Sequence, residues 1–209
     1  MYGAFSILAV IAKRQKTGRG AHIDCSMLGS LLGISALQTS EYFGTGEAQG
    51  ALGSAHPRNA PYQAFRGIDA YFAIAAGNDK LWAQVCEAVG MPELVADSRF
   101  ETQPSRARNQ AELAGILQRV FEGRTATDWI SEMDRRGVPC APINTFPDVL
   151  ADPHVEHMGL VRPLRLPNGV ETKTVTFPVR IAGADCGIFA APPELGAHTE
   201  DVFEEWLGD

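Results

Sequence analysis

Apolar and polar positions follow several different rhythms along this chain. From Tyr2 to Lys16 apolar residues dominate almost every turn, which predicts a helix that is mostly buried. Gly18, in Thr17-Gly18-Arg19-Gly20, stops it, because glycine readily takes the left-handed conformation that closes a helix. Ala21 to Ser26 alternates briefly and predicts a short strand. Met27 to Phe43 is apolar over a length that suits a second helix, and the glycines at Gly44, Gly46, Gly50 and Gly53 make Gly44 to Pro57 a loop.

The texture then shifts. Tyr62 to Arg66 and Ala70 to Ala75 are short and rich in aromatic and apolar residues, and Gly67-Ile68-Asp69 between them has hairpin spacing. Asn78 is placed to cap a helix whose Leu81, Trp82, Val85 and Val89 share one face, with Gly90-Met91-Pro92 as its end. Arg108 to Glu122 predicts another helix. A third starts at Thr125 or Thr127 and ends at Arg135-Arg136-Gly137, and the prolines keep Val138 to Ile143 extended. Gly159 to Leu166 and Val170 to Phe177 flank Pro167-Asn168-Gly169, a hairpin turn signal. Pro192-Pro193 and Gly196 precede a closing helix, Thr199 to Leu207, with acidic Glu200 and Asp201 in its first turn. Helices and strands mix without βαβ alternation, so the local reading is α+β.

Composition narrows the classes. With 209 residues and 45% hydrophobic content the chain can bury a substantial core, and 21% charge without low-complexity tracts argues against disorder. A net charge of -7 disfavours nucleic acid as a partner. The basic spots Lys13-Arg14-Gln15-Lys16 and Arg135-Arg136 read as solvated helix ends rather than ligand sites. Cys25, Cys86, Cys140 and Cys186 are scattered, and His154 and His157 lack cysteine neighbours, so neither a disulfide framework nor a metal site is expected. That usage suits a reducing, cytoplasmic setting. The apolar run Gly3 to Ala12 is too short to span a bilayer and has no basic start, so no membrane anchor or secretory leader is expected.

Motifs carry the reading further. Met1-Tyr2-Gly3-Ala4-Phe5-Ser6-Ile7-Leu8-Ala9-Val10, then Lys16-Thr17-Gly18-Arg19-Gly20 and Ala21 to Leu28, resemble a helix, TGRG turn and strand of the family III CoA-transferases (the CaiB–BaiF family). Pro61-Tyr62-Gln63-Ala64-Phe65 resembles the first strand of that family's small domain. Asp97-Ser98-Arg99-Phe100 resembles its DPRF element, Gly137-Val138-Pro139-Cys140-Ala141-Pro142 its GVPxxP element, and Gly196-Ala197-His198-Thr199-Glu200 its GEHT element. Their order and spacing extend over essentially the whole chain.

The resemblance implies a fold that combines α/β and α+β: a Rossmann-like large domain with an inserted small α+β domain, in chains whose rings interlock as a dimer. By that analogy residues 1–52 belong to the large domain, 53–152 form the small domain, and 153–209 are the linker and the return to the large domain. It also implies transfer of CoA between carboxylic acids, with acyl-CoA and a small carboxylic acid as substrates and no permanently bound cofactor. An aspartate carboxylate attacks the acyl-CoA thioester, and the mixed anhydride so formed is converted by the released CoA thiolate to an enzyme-bound thioester that the acceptor acid consumes. In the family that aspartate lies a few residues before the segment that starts here as Met1-Tyr2-Gly3. The nucleophile is therefore expected upstream of Met1, none of the chain's own residues is assigned as catalytic, and the partner is expected to be a missing N-terminal half or a second copy. The isolated chain is expected to be inactive and prone to self-association through uncovered apolar surface.

Asp24 is the candidate substitute carboxylate, although a strand after the TGRG turn suits a structural residue better. Gly53-Ser54-Ala55-His56-Pro57 lines up in order with the glycine-rich loop that covers the aspartate in formyl-CoA-transferase-like members, and is the expected substrate-binding loop. It keeps one glycine of that loop and adds His56, read either as an acid–base group or as a hydrogen-bonded loop residue. Asp97 and Arg99 are expected to close a turn, and Trp82, Trp129 and Trp206 to sit in a core or an interface. An α-methylacyl-CoA racemase-like isomerase is the alternative enzyme. It needs a carboxylate where this chain has Gly77-Asn78-Asp79, and only Asp79 supplies one. A non-catalytic protein, either a truncated relic or an assembly module, is the third reading.

Overall fold

The hairpin and the helices after it generate the buried core of the described residues. In the computed structural model, which describes residues 1–48, 50–183 and 190–208, β1 (Tyr62–Arg66) and β2 (Tyr71–Ala75) pair antiparallel. β3 (Cys140–Pro142) adds to the far side of β2, giving a three-stranded sheet in the order β1-β2-β3. Between β2 and β3 the chain forms α4 (Asp79–Ala88), a 3-10 turn (Pro92–Ala96), α5 (Gln103–Arg108), α6 (Gln110–Phe121) and α7 (Ala126–Arg135).

Helical spacing puts Trp82, Val85 and Cys86 on one face of α4, Leu113, Leu117 and Phe121 on one face of α6, and Trp129 and Met133 on one face of α7. These faces close over Phe65, Phe72 and Ile74 of the sheet. Phe121 is the hub, with ring centroids 4.9 Å from Phe65, 5.2 Å from Phe72 and 5.1 Å from Trp129, all edge to face. Asn78 Oδ1 accepts the Leu81 amide hydrogen at 2.9 Å, and Thr125 Oγ1 accepts that of Asp128 at 3.1 Å, so the caps read in the sequence begin α4 and α7.

The hairpin tip is fastened to α7. Asp69 Oδ1 accepts from the backbone N–H of Ala126 at 2.8 Å and of Ala70 at 2.9 Å. The Ala126 hydrogen bond, first, and those of the local backbone hold the Asp69 carboxyl below its ordinary value of 3.8. Gly67 is required there because a Cβ would sit 2.7 Å from Ala126 N and 3.0 Å from Arg124 O.

The N-terminal segment packs differently from its prediction. α1 (Tyr2–Thr17) ends at Gly18 (φ 68°) as expected, but none of its residues is buried. Met27 to Phe43 is two helices, α2 (Met27–Ile34) and α3 (Ala36–Thr45), which part at Ser35, whose hydroxyl donates to Leu31 O at 2.8 Å. Ala21 to Ser26 is extended without being a strand, since no described strand lies beside it to pair with its amides. Arg108 to Glu122 is likewise interrupted, at Asn109, between α5 and α6.

After β3 come two short helices that the sequence pattern does not predict, α8 (Phe146–Leu150) and α9 (Pro153–His157). β4 (Val161–Arg165) and β5 (Glu171–Val175) form the expected hairpin, a separate two-stranded sheet, and α10 (Thr199–Leu207) closes the chain. Trp82 and Trp129 are core residues, whereas Trp206 is 77% exposed and lies outside the core of the described residues. Phe5, Leu8, Leu28, Leu31 and Phe203 are also exposed, so α1, α2 and α10 present apolar side chains to solvent. Cys186 lies outside the described residues.

Candidate active-site loop

The segment from Gly53 to Pro61 connects the N-terminal helices to β1 and is held at nearly every step. Gly53 adopts φ 61°, in the left-handed region, and turns the chain. Ser54 Oγ accepts the Ala64 amide hydrogen at 3.1 Å, which ties the loop to β1. Ala55 N–H donates to Leu52 O at 3.1 Å, and His56 N–H donates to Tyr62 O at 2.9 Å.

His56 organises the middle of the segment. Its Nδ1 accepts from the backbone amides of both Arg58 and Asn59 at 3.1 Å. Its ring stacks on Tyr62, with centroids 5.1 Å apart and planes 17° from parallel. Its carbonyl accepts from Gln110 Nε2 of α6 at 3.0 Å. Arg58 reaches back to Glu41 of α3 at 3.2 Å, and Gln103 Nε2 of α5 donates to Arg58 O at 3.2 Å and also contacts Asn59 Oδ1. His56 is thus a hydrogen-bonded loop residue, fixed through one ring nitrogen.

The loop ends on a charge anchor that the sequence did not reveal. Arg106 of α5 has no solvent exposure. Its guanidinium donates to Ala60 O at 2.9 Å, Phe100 O at 3.0 Å and Asp79 Oδ1 at 2.6 Å, and lies over the Trp82 ring at 5.6 Å. Asp79 and Asn78 therefore have structural work at the head of α4, the first as ion-pair partner and the second as cap.

The remaining polar candidates separate. Asp97 and Arg99 close a turn, as expected: Asp97 Oδ1 accepts from Arg99 N at 2.9 Å and Nε at 3.0 Å, and Asn109 Nδ2 donates to Arg99 O at 2.9 Å. The Arg99 guanidinium holds the Asp97 carboxyl below the usual range. Asp24 is exposed and lines an open cleft of about 310 Å³ with Tyr2, Ser6, Cys25 and Ser30. Next to it an apolar cleft of about 990 Å³ runs between α1 and α2, lined by Phe5, Met27, Leu28, Leu31 and Ile34. Burial pushes the Cys86 thiol up to about 12 and the Cys140 thiol up to about 11, so neither is a ready thiolate at neutral pH. Among the described residues no group of three or more His, Cys, Asp or Glu is placed to hold a metal ion, and no helix is long and apolar enough to cross a membrane.

The chain matches the profile of CoA-transferase family III over residues 1–199, and it belongs to that family. It is 34% identical over 208 residues to the human succinyl-CoA:glutarate CoA-transferase, covering 99% of this chain and 47% of that protein. It is also 34% identical over 137 residues to the acetyl-CoA:oxalate CoA-transferase of Acetobacter aceti, covering 66% of this chain and 35% of that protein. The crystal structure of a CaiB/BaiF family protein from Brucella suis superimposes with a TM-score of 0.77 at 33% identity, covering 98% of this chain and 53% of that one. The chain thus spans about half the length of these full relatives or less.

Proposed function

We propose that this chain works as part of a family III CoA-transferase and supplies the loop over the thioester and the small domain that supports it. The observation that carries the reading is the loop at Gly53 to Pro57, hinged at a left-handed glycine and fastened through Ser54 and His56 to β1 and α6, in a chain that belongs to this family. In the division that suits this role, residues 53–152 are the small domain, while 1–52 and 153–209 belong to the large one. The buried core, between Ala60 and Val138, lies inside the middle segment.

The chemistry follows from carboxylate nucleophilicity. An aspartate carboxylate outside these residues attacks the acyl-CoA carbonyl, forms a mixed anhydride and expels CoA thiolate. The thiolate attacks the aspartyl carbonyl, releases the donor acid and leaves an aspartyl thioester. The acceptor carboxylate repeats the sequence in reverse and departs as its CoA ester. Both anhydrides hydrolyse readily, so a loop that excludes water serves each step. Glutarate and oxalate, the acceptors in the names of the two relatives, are dicarboxylic acids, which makes a dicarboxylate the proposed acceptor class. The partner is either a second copy or the remaining half of the family fold, and the proposed setting is the cytoplasm.

The test supplies succinyl-CoA with glutarate or oxalate to the protein assembled with that partner and follows the new CoA ester by mass. Transfer that depends on the acceptor acid supports the reading; α-proton exchange without transfer would replace it with the racemase-like one, which the Asp79–Arg106 pair does not favour. The exposed apolar faces of α1, α2 and α10 favour a second, compatible reading, that the isolated chain is an assembly module; sedimentation as a concentration-independent monomer would exclude it.

A further inference from the structure

We propose that His56 is a positioning residue whose neutral ring latches the 53–61 loop, and that proton uptake by this ring releases the latch. Two backbone N–H groups, those of Arg58 and Asn59, point at one nitrogen, Nδ1, at 3.1 Å each. Only an unprotonated nitrogen can accept them, so the ring proton resides on Nε2. A proton on Nδ1 would set three donors against one another, and both amides would lose their acceptor.

The surroundings offer little to offset that conflict. The charged residue of the loop is Arg58, whose guanidinium pairs with Glu41 of α3. From β1 comes the uncharged Tyr62 ring, from α6 the neutral Gln110 amide, and from α5 the neutral Gln103 amide. Arg106 holds Ala60 O at the end of the same segment and is itself paired with Asp79. The latch therefore acts in the middle of the segment, between the Gly53 hinge and the Arg106 anchor. That it governs access to a thioester rests on the proposed CoA-transferase role; the latch itself is tested on this chain without substrate.

The experiment is NMR of the 209-residue chain with the imidazole nitrogens and backbone amides labelled. At about pH 8 the His56 ring is expected to carry its proton on Nε2, and once acid has placed a second proton on the ring, seen in its own nitrogen shifts, the protection of the Arg58 and Asn59 amides is expected to fall on the order of tenfold, as loss of these hydrogen bonds implies. The amides of Ala75 and Val89, bonded to Pro139 O and Val85 O in the core, should hold their protection over the same range. In His56→Asn the side-chain oxygen takes the place of Nδ1 without titrating, so the pH dependence at Arg58 and Asn59 should vanish. Equal pH profiles in wild type and His56→Asn would overturn the proposal. So would a proton on Nδ1 at about pH 8, a measurement on the wild type alone that stands even if the variant fails to fold.

Discussion

The guanidinium of Arg106 is wholly buried, while its carboxylate partner, Asp79 at 2.6 Å, is 68% exposed. The pair joins the head of α4 to the last turn of α5, and two carbonyls complete the guanidinium's coordination. Removing the buried member should cost far more than removing the exposed one, because Arg106→Ala leaves a cavity and two unpaired carbonyls whereas Asp79→Ala lets water approach. About 3 to 5 kcal/mol is expected for Arg106→Ala in urea unfolding, from the cavity and the two stranded carbonyls, and a clearly smaller loss for Asp79→Ala. Equal losses would contradict this assignment.

Phe121 touches three aromatic partners at the centre of the core. Phe121→Ala should lower unfolding stability by about 3 to 5 kcal/mol, and Phe121→Leu by less. Near-ultraviolet circular dichroism should report the loss of ordered aromatic packing at the same time.

Gly67 faces backbone, not side chain, on its open side. Gly67→Ala should therefore destabilise by about 1 to 3 kcal/mol, since neither the Ala126 amide nor the Arg124 carbonyl is a flexible neighbour. Gly115→Ala, where a Cβ would meet nothing within 4 Å, should instead be neutral or stabilising.

Asp69 supplies an acid-dependent contribution. Its carboxyl is held below 3.8 in the folded chain, so its contribution is present above the unfolded value and is lost as pH falls through the depressed one. The stability gap between wild type and Asp69→Asn should narrow as pH is lowered from about 5 to about 2. A constant gap in urea midpoints would show that the charge contributes nothing.

Local signals were the legible part of this fold. The Asn78 cap, the Gly18 stop, the hairpin around Gly67 and the turn at Asn168-Gly169 each depend on residues within a few positions, and each element forms as its sequence predicts. The misread stretches depended on partners. Ala21 to Ser26 has strand alternation but no neighbouring strand among the described residues, and α1, read as a mostly buried helix, buries none of its residues among them. Arg106 looks in sequence like one more surface cation beside Arg108, because nothing nearby announces that Ala60, 46 positions away, would offer it a carbonyl. His56 is legible as a loop residue from its place before Pro57, but its two amide donors become visible only once the loop is folded.

The central claim concerns which polypeptide segment carries the acyl group. Succinyl-CoA and hydroxylamine, added first to this chain alone and then to the chain joined to the remaining half of the family fold, will convert any acylated carboxylate into a hydroxamate that mass spectrometry can locate. The expected result is no hydroxamate on residues 1–209 in either sample, and one on an aspartate of the added half. A hydroxamate at Asp24 in the chain alone would contradict the claim and make this chain the seat of the chemistry.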